Sequence, residues 1–72
     1  MTEQEKFLKA VGKNVDKKRR EQKLSFSELA LRCDMEKANL VKLTNQGKNI
    51  TLVSLYKIAR GLDVSVNELL KL

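Results

Sequence analysis

The stretch SFSELALRCDMEKANLVKLTN, Ser25 to Asn45, decides the fold. Ser25 has the chemistry of a helix N-cap: its hydroxyl can accept from an orphan backbone N–H, while Glu28, three residues on, answers with its carboxylate. From Phe26 to about Cys33, the apolar residues Leu29, Ala30 and Cys33 recur at helical spacing. Asp34 then marks a tight turn. A second short helix reads from Lys37 to about Asn45, with Met35 entering the core from the turn and Leu40 and Leu43 facing inward. Its other face, with Lys37, Asn39 and Lys42 beside Ala38, is polar.

Working outward, Thr2 and Glu5 have capping-box spacing and open a first helix with Phe7, Leu8, Val11 and Val15 on one face, ending near Lys23. Downstream, Gln46-Gly47-Lys48-Asn49 is the strongest loop signal. Thr51 then caps a fourth helix carrying Leu52, Leu55, Ile58, Ala59 and Leu62, with Gly61 near its end. Ser65 and Glu68 repeat the capping-box spacing, so VNELLKL closes the chain as a short fifth helix on Val66, Leu69 and Leu70. Nothing alternates like a strand, so the expected fold is all-α. A chain of 72 residues hides only about 60% of its unfolded surface and cannot share it between two cores, so one domain over residues 1–72 is expected.

Composition narrows function. With no His, a single Cys and scattered carboxylates, the sequence lacks the ligand set of a structural zinc and the Ser/His or Cys/His pairs of nucleophilic catalysis. Neither an enzyme nor a cofactor or metal is expected. Cys33 cannot form an intramolecular disulfide, reads as a small core residue and suits a reducing, cytoplasmic setting. MTEQEKFLKA is acidic where a signal peptide is basic, and no apolar run approaches the ~18 residues of a membrane span. Interfacial membrane binding is also disfavoured, because the first helix has Val and Gly where bulky anchors are wanted. Fifteen Lys plus Arg against nine Asp plus Glu give a net charge of +6 and a pI near 9.7, which suits a polyanionic partner. Phe7, Phe26 and Tyr56 are too few aromatics to stack single strands or RNA loops, so double-stranded DNA is the expected partner.

Two short helices joined by a tight turn, the second polar outside, in a basic five-helix domain, form the arrangement that places a helix in the major groove. The sequence from Val11 to Leu70 resembles the lambda-repressor-like (Cro/repressor-type, Xre-like) helix-turn-helix proteins of bacteria and phages. The resemblance is carried by Val11-Gly12 with Val15 and Arg19, Leu24-Ser25, Glu28-Leu29-Ala30, then Met35, Leu40 and Leu43. Ile50-Thr51-Leu52 with Leu55, Ile58-Ala59 and Leu62 complete it. It implies five helices, with the helix-turn-helix at about 25–45. It also implies sequence-specific duplex binding through the third helix, usually as a homodimer, and transcriptional control. A repressor on an inverted-repeat operator, nucleoid-associated when bound, is the expected form. With the domain filling nearly the whole chain, control is expected through concentration, competition or another protein.

By this resemblance Lys37, Ala38 and Lys42 fall where base-reading side chains stand, with Asn39 beside them. Lysine can donate to guanine O6 and N7, Asn39 can pair with adenine, and the Ala38 methyl can touch a thymine methyl. Phosphate contacts are expected from Gly47, Lys48 and Asn49, and from the start of the second helix at Ser25 and Phe26. Gly47 has an equal alternative role as a helix C-cap. The run Lys17 to Arg20 reads as a solvated face giving non-specific steering. The resemblance implies that Arg19 pairs with an acid at the end of the third helix, but that position holds Thr44.

Other departures bear on function. Phe26 stands where the family has glutamine, and a phenyl ring cannot donate to phosphate. Glu36 caps the third helix, where a carboxylate suits the dipole but repels phosphate and can accept only from cytosine N4. Gly47 comes one residue later than the family glycine. Phe26 and Val41 on the outer face raise an alternative: a protein-interaction module, such as an antitoxin or polymerase-contacting factor, using the same fold. Leu70 and Leu72 have no evident room in so small a core and mark the expected dimer interface, the alternative being that they cover the base of the first helix.

Overall fold

A computed structural model describes residues 1–72 as five helices without strands: α1 (Glu3–Glu21), α2 (Phe26–Cys33), α3 (Lys37–Gln46), α4 (Leu52–Leu62) and α5 (Val66–Leu70). Four begin at a hydroxyl. Thr2, Ser25, Thr51 and Ser65 each accept from the backbone N–H three residues on, at 3.1, 3.0, 3.0 and 3.3 Å. Such caps satisfy donors that have no partner inside the helix and contribute about 1 kcal/mol each. The boxes at Thr2, Ser25 and Thr51 are reciprocal. At Ser65 only half forms, because the Glu68 carboxylate turns instead to Lys71 at 3.4 Å and Lys18 at 3.6 Å. α3 alone has no side-chain cap: Glu36 precedes it without a bond to its first turn.

Helix ends are equally local. α1 stops at Glu21, two residues short of Lys23, which adopts φ 57° and lets the Leu24 N–H donate back to the Arg19 carbonyl at 3.1 Å. Asp34, Gly47 and Asp63 end α2, α3 and α4 in the same left-handed region. The core takes Val11 and Val15 from α1, and Leu29, Ala30 and Cys33 from α2. Leu40 and Leu43 come from α3, Leu55, Ile58, Ala59 and Leu62 from α4, and Leu69 from α5; Leu24 joins from the loop. Burying each large aliphatic side chain contributes about 1.5–3 kcal/mol, which makes this cluster the main stabilising term. Met35 packs against it from the turn, as expected.

Two apolar expectations, Leu52 and Phe7, fail. Leu52, read as part of the α4 stripe, is 81% exposed, since it occupies the first turn of α4, beyond the edge of the core. Phe7 is 52% exposed for the same reason at the opposite end of α1. Leu70 is exposed, leaving Leu69 to fill the base of the domain.

α1 lies along α3, while α2 sits between α3 and α4. Two glycines permit the α1–α3 approach. A Cβ on Gly12 would collide with the Leu43 carbonyl oxygen and come within 3.0 Å of that of Thr44. Gly47, at φ 66°, abuts the Leu8–Lys9 peptide so closely that a Cβ would lie 2.6 Å from the Leu8 carbonyl carbon. Side-chain amides tie the rest. Asn14 donates to the Glu68 and Leu69 carbonyls of α5 at 3.0 and 2.8 Å, and Gln22 donates to the Leu62 carbonyl at 2.6 Å.

Candidate nucleic-acid interface

The α2–turn–α3 unit owes its geometry to two residues of the turn. Asp34 in the left-handed region reverses the chain after one polar residue, and the Met35 N–H donates to the Ala30 carbonyl at 3.0 Å, closing α2 and setting the departure of α3. With Leu40, Leu43 and Thr44 buried, the opposite side of α3 is left to solvent. Ala38 and Lys42 occupy the middle of that side, flanked by Lys37 and Asn39, and all four are exposed. Asn45, one turn beyond Lys42, shares the face. The sequence reading passes over Asn45, although its place seven residues after Ala38 is the signal that would have found it.

At the start of α2, the Ser25 N–H donates to a Glu28 carboxylate oxygen at 2.9 Å and the Ser25 hydroxyl is taken by the Glu28 N–H. The Ser25 N–H pulls the Glu28 carboxyl below its ordinary range. Ser25 is therefore committed to its cap, and the donors on offer are the first-turn N–H groups of Phe26 and Ser27. In the loop after α3, Lys48 and Asn49 are exposed, the latter at φ 60°. Gly47 is different: it is buried, and its N–H donates to the Leu43 carbonyl at 3.0 Å. The structure shows it as the C-cap of α3.

These exposed helix and loop groups have the disposition of a duplex reader, and residues 14–72 match the family model of the Cro/C1-type HTH DNA-binding domain. The chain belongs to the Cro/C1-type helix-turn-helix DNA-binding family. That makes it a DNA-binding regulator of transcription, in a family that is not enzymatic. Among solved structures it resembles the restriction-modification controller protein C.AhdI from Aeromonas hydrophila, with TM-score 0.82 and 26% identity over 86% of this chain and 94% of that one. It also resembles the wild-type restriction-modification controller protein C.Esp1396I, with TM-score 0.78 and 26% identity over 92% and 96% of the respective chains. No curated protein matches the sequence. No helix is long and apolar enough to cross a membrane.

Within this Cro/C1-type domain, Arg19 does not reach α3, where the resemblance implied an acidic partner. Thr44, at the acid's position, is buried and its hydroxyl donates to the Val41 carbonyl at 3.0 Å. Arg19 instead holds Asp16, three residues earlier on its own helix, at 2.9 Å and donates to the Leu24 carbonyl at 2.7 Å. Its guanidinium lies 4.0 Å from the centroid of the Phe26 ring. Stacking of this kind, partly shielded from water, contributes about 0.5–2 kcal/mol. Arg19 thus forms a clasp between α1 and α2.

The clasp also answers what Phe26 does. Its ring lies under Arg19, and both it and Val41 are partly buried. The exposed large apolar side chains lie elsewhere, at Leu52, Val53 and Tyr56 of α4, at Leu31 of α2, and at the two chain ends. Leu72 is 63% exposed, so neither it nor Leu70 is absorbed by α1.

Proposed function

We propose that the protein is a sequence-specific repressor that binds an inverted-repeat operator as a homodimer in the cytoplasm. α3 enters the major groove with Lys37, Ala38, Asn39 and Lys42 against base edges. Lys48, Asn49 and the backbone N–H groups that begin α2 at Phe26 hold phosphates. The observation that carries this reading is the division of α3 into a fully buried face, Leu40 and Leu43 with Thr44, and a fully exposed basic one. The helix is held firmly by the core while its opposite side is free to lie in a groove about 12 Å wide. Glu36, exposed at the start of α3, adds discrimination by repelling phosphate and accepting only from a donor such as cytosine N4.

Dimerisation is supported by Leu70 and Leu72, exposed at the end of the chain, and by the uncovered Leu52, Val53 and Tyr56 of α4. One copy measures 32 × 23 × 21 Å. Two copies side by side are of the size needed to span successive major-groove faces roughly 34 Å apart. Likeness to the two controller proteins supports a regulator made of one small domain. The test is selection from a random duplex library with purified protein at physiological salt, alongside its sedimentation equilibrium. An enriched inverted repeat with half-sites about one helical turn apart is the expected result. Retention of duplexes without any enriched motif, or a monomer on and off DNA, defeats the proposal.

A further inference from the structure

α1 carries Lys6, Lys9, Lys13, Lys17 and Arg20, and steps of three and four residues place them on one stripe. At ~1.5 Å per residue the stripe is about 21 Å long. Its neighbours in the densest basic run are otherwise engaged: Lys18 with Glu21 and Glu68, and Arg19 with Asp16. Arg20 also holds Asp16, at 2.9 Å, yet remains 74% exposed. No carboxylate lies within 4 Å of the ammonium groups of Lys6, Lys9, Lys13 or Lys17.

A row of solvated lysines is ordinary on a helix. The difference here is where the row is held. The two glycine seats, Gly12 on Leu43–Thr44 and Gly47 on Leu8–Lys9, press α1 along the C-terminal end of α3 and the loop that follows. Lys13, Lys17 and Arg20 consequently share one open groove with Asp16 and Glu21 of α1 and Thr44 and Asn45 of α3. Lys9 shares a second with Lys48 and Asn49, and Lys6, Lys9 and Lys13 border a third. Basic side chains therefore line the way from the loop at Lys48 along the length of α1, in excess over Glu5, Asp16 and Glu21, which border the same grooves, and Asp16 is already held by Arg19 and Arg20.

We infer that this stripe is a second duplex-DNA surface, which grips the phosphate backbone flanking the half-site that α3 reads, without regard to its sequence. The inference rests on the DNA-reading role proposed for α3. A membrane surface fits less well, because Val11 and Val15 are buried in the core and α1 keeps no continuous apolar face to insert. Phosphates recur every ~3.4 Å of axis along a strand, so the stripe spans about six of them. Each lysine that neutralises a phosphate steepens the dependence of log affinity on log salt by about 0.9, or roughly 3.5-fold in affinity between 50 and 200 mM salt.

The test compares the full chain with a K6Q/K9Q/K13Q/K17Q variant on two duplexes. One is trimmed to the selected site and the other is extended on each side by about one helical turn. Gln and Lys have similar helix propensity, so the variant is expected to melt like the wild type. The wild type should bind the extended duplex more tightly. The variant should bind both alike, prefer the same bases and show a salt slope lower by about 3 to 4. A wild type indifferent to flanks, or a variant that keeps the full slope, overturns the inference while leaving the role of α3 intact. Loss of binding to anionic vesicles by the variant, with its duplex behaviour unchanged, overturns it in favour of a membrane. Absence of base preference in both proteins strikes the reading of α3 itself.

Discussion

Gly12→Ala sets two opposing effects against each other on the α1–α3 seam. Within a helix interior, alanine is favoured over glycine by about 0.5–1 kcal/mol. The new methyl, however, meets backbone on the neighbouring helix. It would lie 3.0 Å from the Thr44 carbonyl oxygen, 3.3 Å from its carbon, and nearer still to the Leu43 oxygen. Ordinary carbon–oxygen contacts begin near ~3.3 Å, and a carbonyl in a helix cannot rotate aside as a side chain can. α1 must therefore back away by up to roughly an ångström, and a gap of that size forfeits a quarter to a half of the dispersion energy of the contacts it opens. Val11 and Val15 of α1 and Leu40 and Leu43 of α3 belong to the core that this gap would loosen. Overpacking of this kind costs about 1–3 kcal/mol, so the net loss is about 1–2 kcal/mol after the helix gain. For a domain of this size, 1 kcal/mol lowers Tm by about 4–8 °C. A thermal melt followed by circular dichroism should show the fall, with Lys13→Ala on the exposed neighbour as the control, unchanged within about 0.5 kcal/mol. A Tm for Gly12→Ala at or above the wild-type value would refute the argument, because helix propensity would then have outweighed the collision.

Lys37→Ala and Lys42→Ala should change which bases are preferred in library selection, whereas Lys48→Ala should weaken all sequences alike; uniform losses from all three would remove the division between base and phosphate contacts. Thr2 and Ser25 N–H groups lower the Glu5 and Glu28 carboxyls, and Lys71 lowers that of Glu68, below the ordinary value of about 4.5. A lowered folded value contributes stability above about pH 4.5 that is lost as pH falls through it, so a Glu5→Gln/Glu28→Gln/Glu68→Gln variant should show a shallower acid limb in a denaturation series. An identical limb would count against those three groups. Burial pushes the Cys33 thiol up to about 11, and a thiol reagent should modify it far more slowly in the folded than in the denatured protein; equal rates would contradict its burial.

Helix starts were readable because they are local. Thr2, Ser25, Thr51 and Ser65 each cap within three residues of chain, and no distant group was needed to recognise them. The inward positions of Leu29, Leu40, Leu43 and Ile58 followed from period alone. What the sequence hid depends on which element lies opposite. Leu52 shares the face of Leu55 by spacing, yet the core stops one turn short of it. Gly12 and Gly47 carry no local sign of the backbone that passes them. Arg19 found its acid at Asp16 on its own helix, and the ring of Phe26, legible only as a missing donor, proved to be the surface on which that arginine rests. For the nucleic-acid interface, the exposed side of α3 was legible, but the commitment of Ser25 and Gly47 to internal bonds required coordinates.

The unequal ends of α3 have a consequence. Its last turn is wedged between two glycine seats on α1, whereas its first turn follows Glu36 with no side chain closing it. The helix is closed at the end that meets α1 and uncapped at the end that carries Lys37, Ala38 and Asn39. The core still grips that end through Leu40, so what the tip lacks is a cap and not a mount. The first-turn amides left unsatisfied at that tip make free water or bound nucleic acid the last component of the helix.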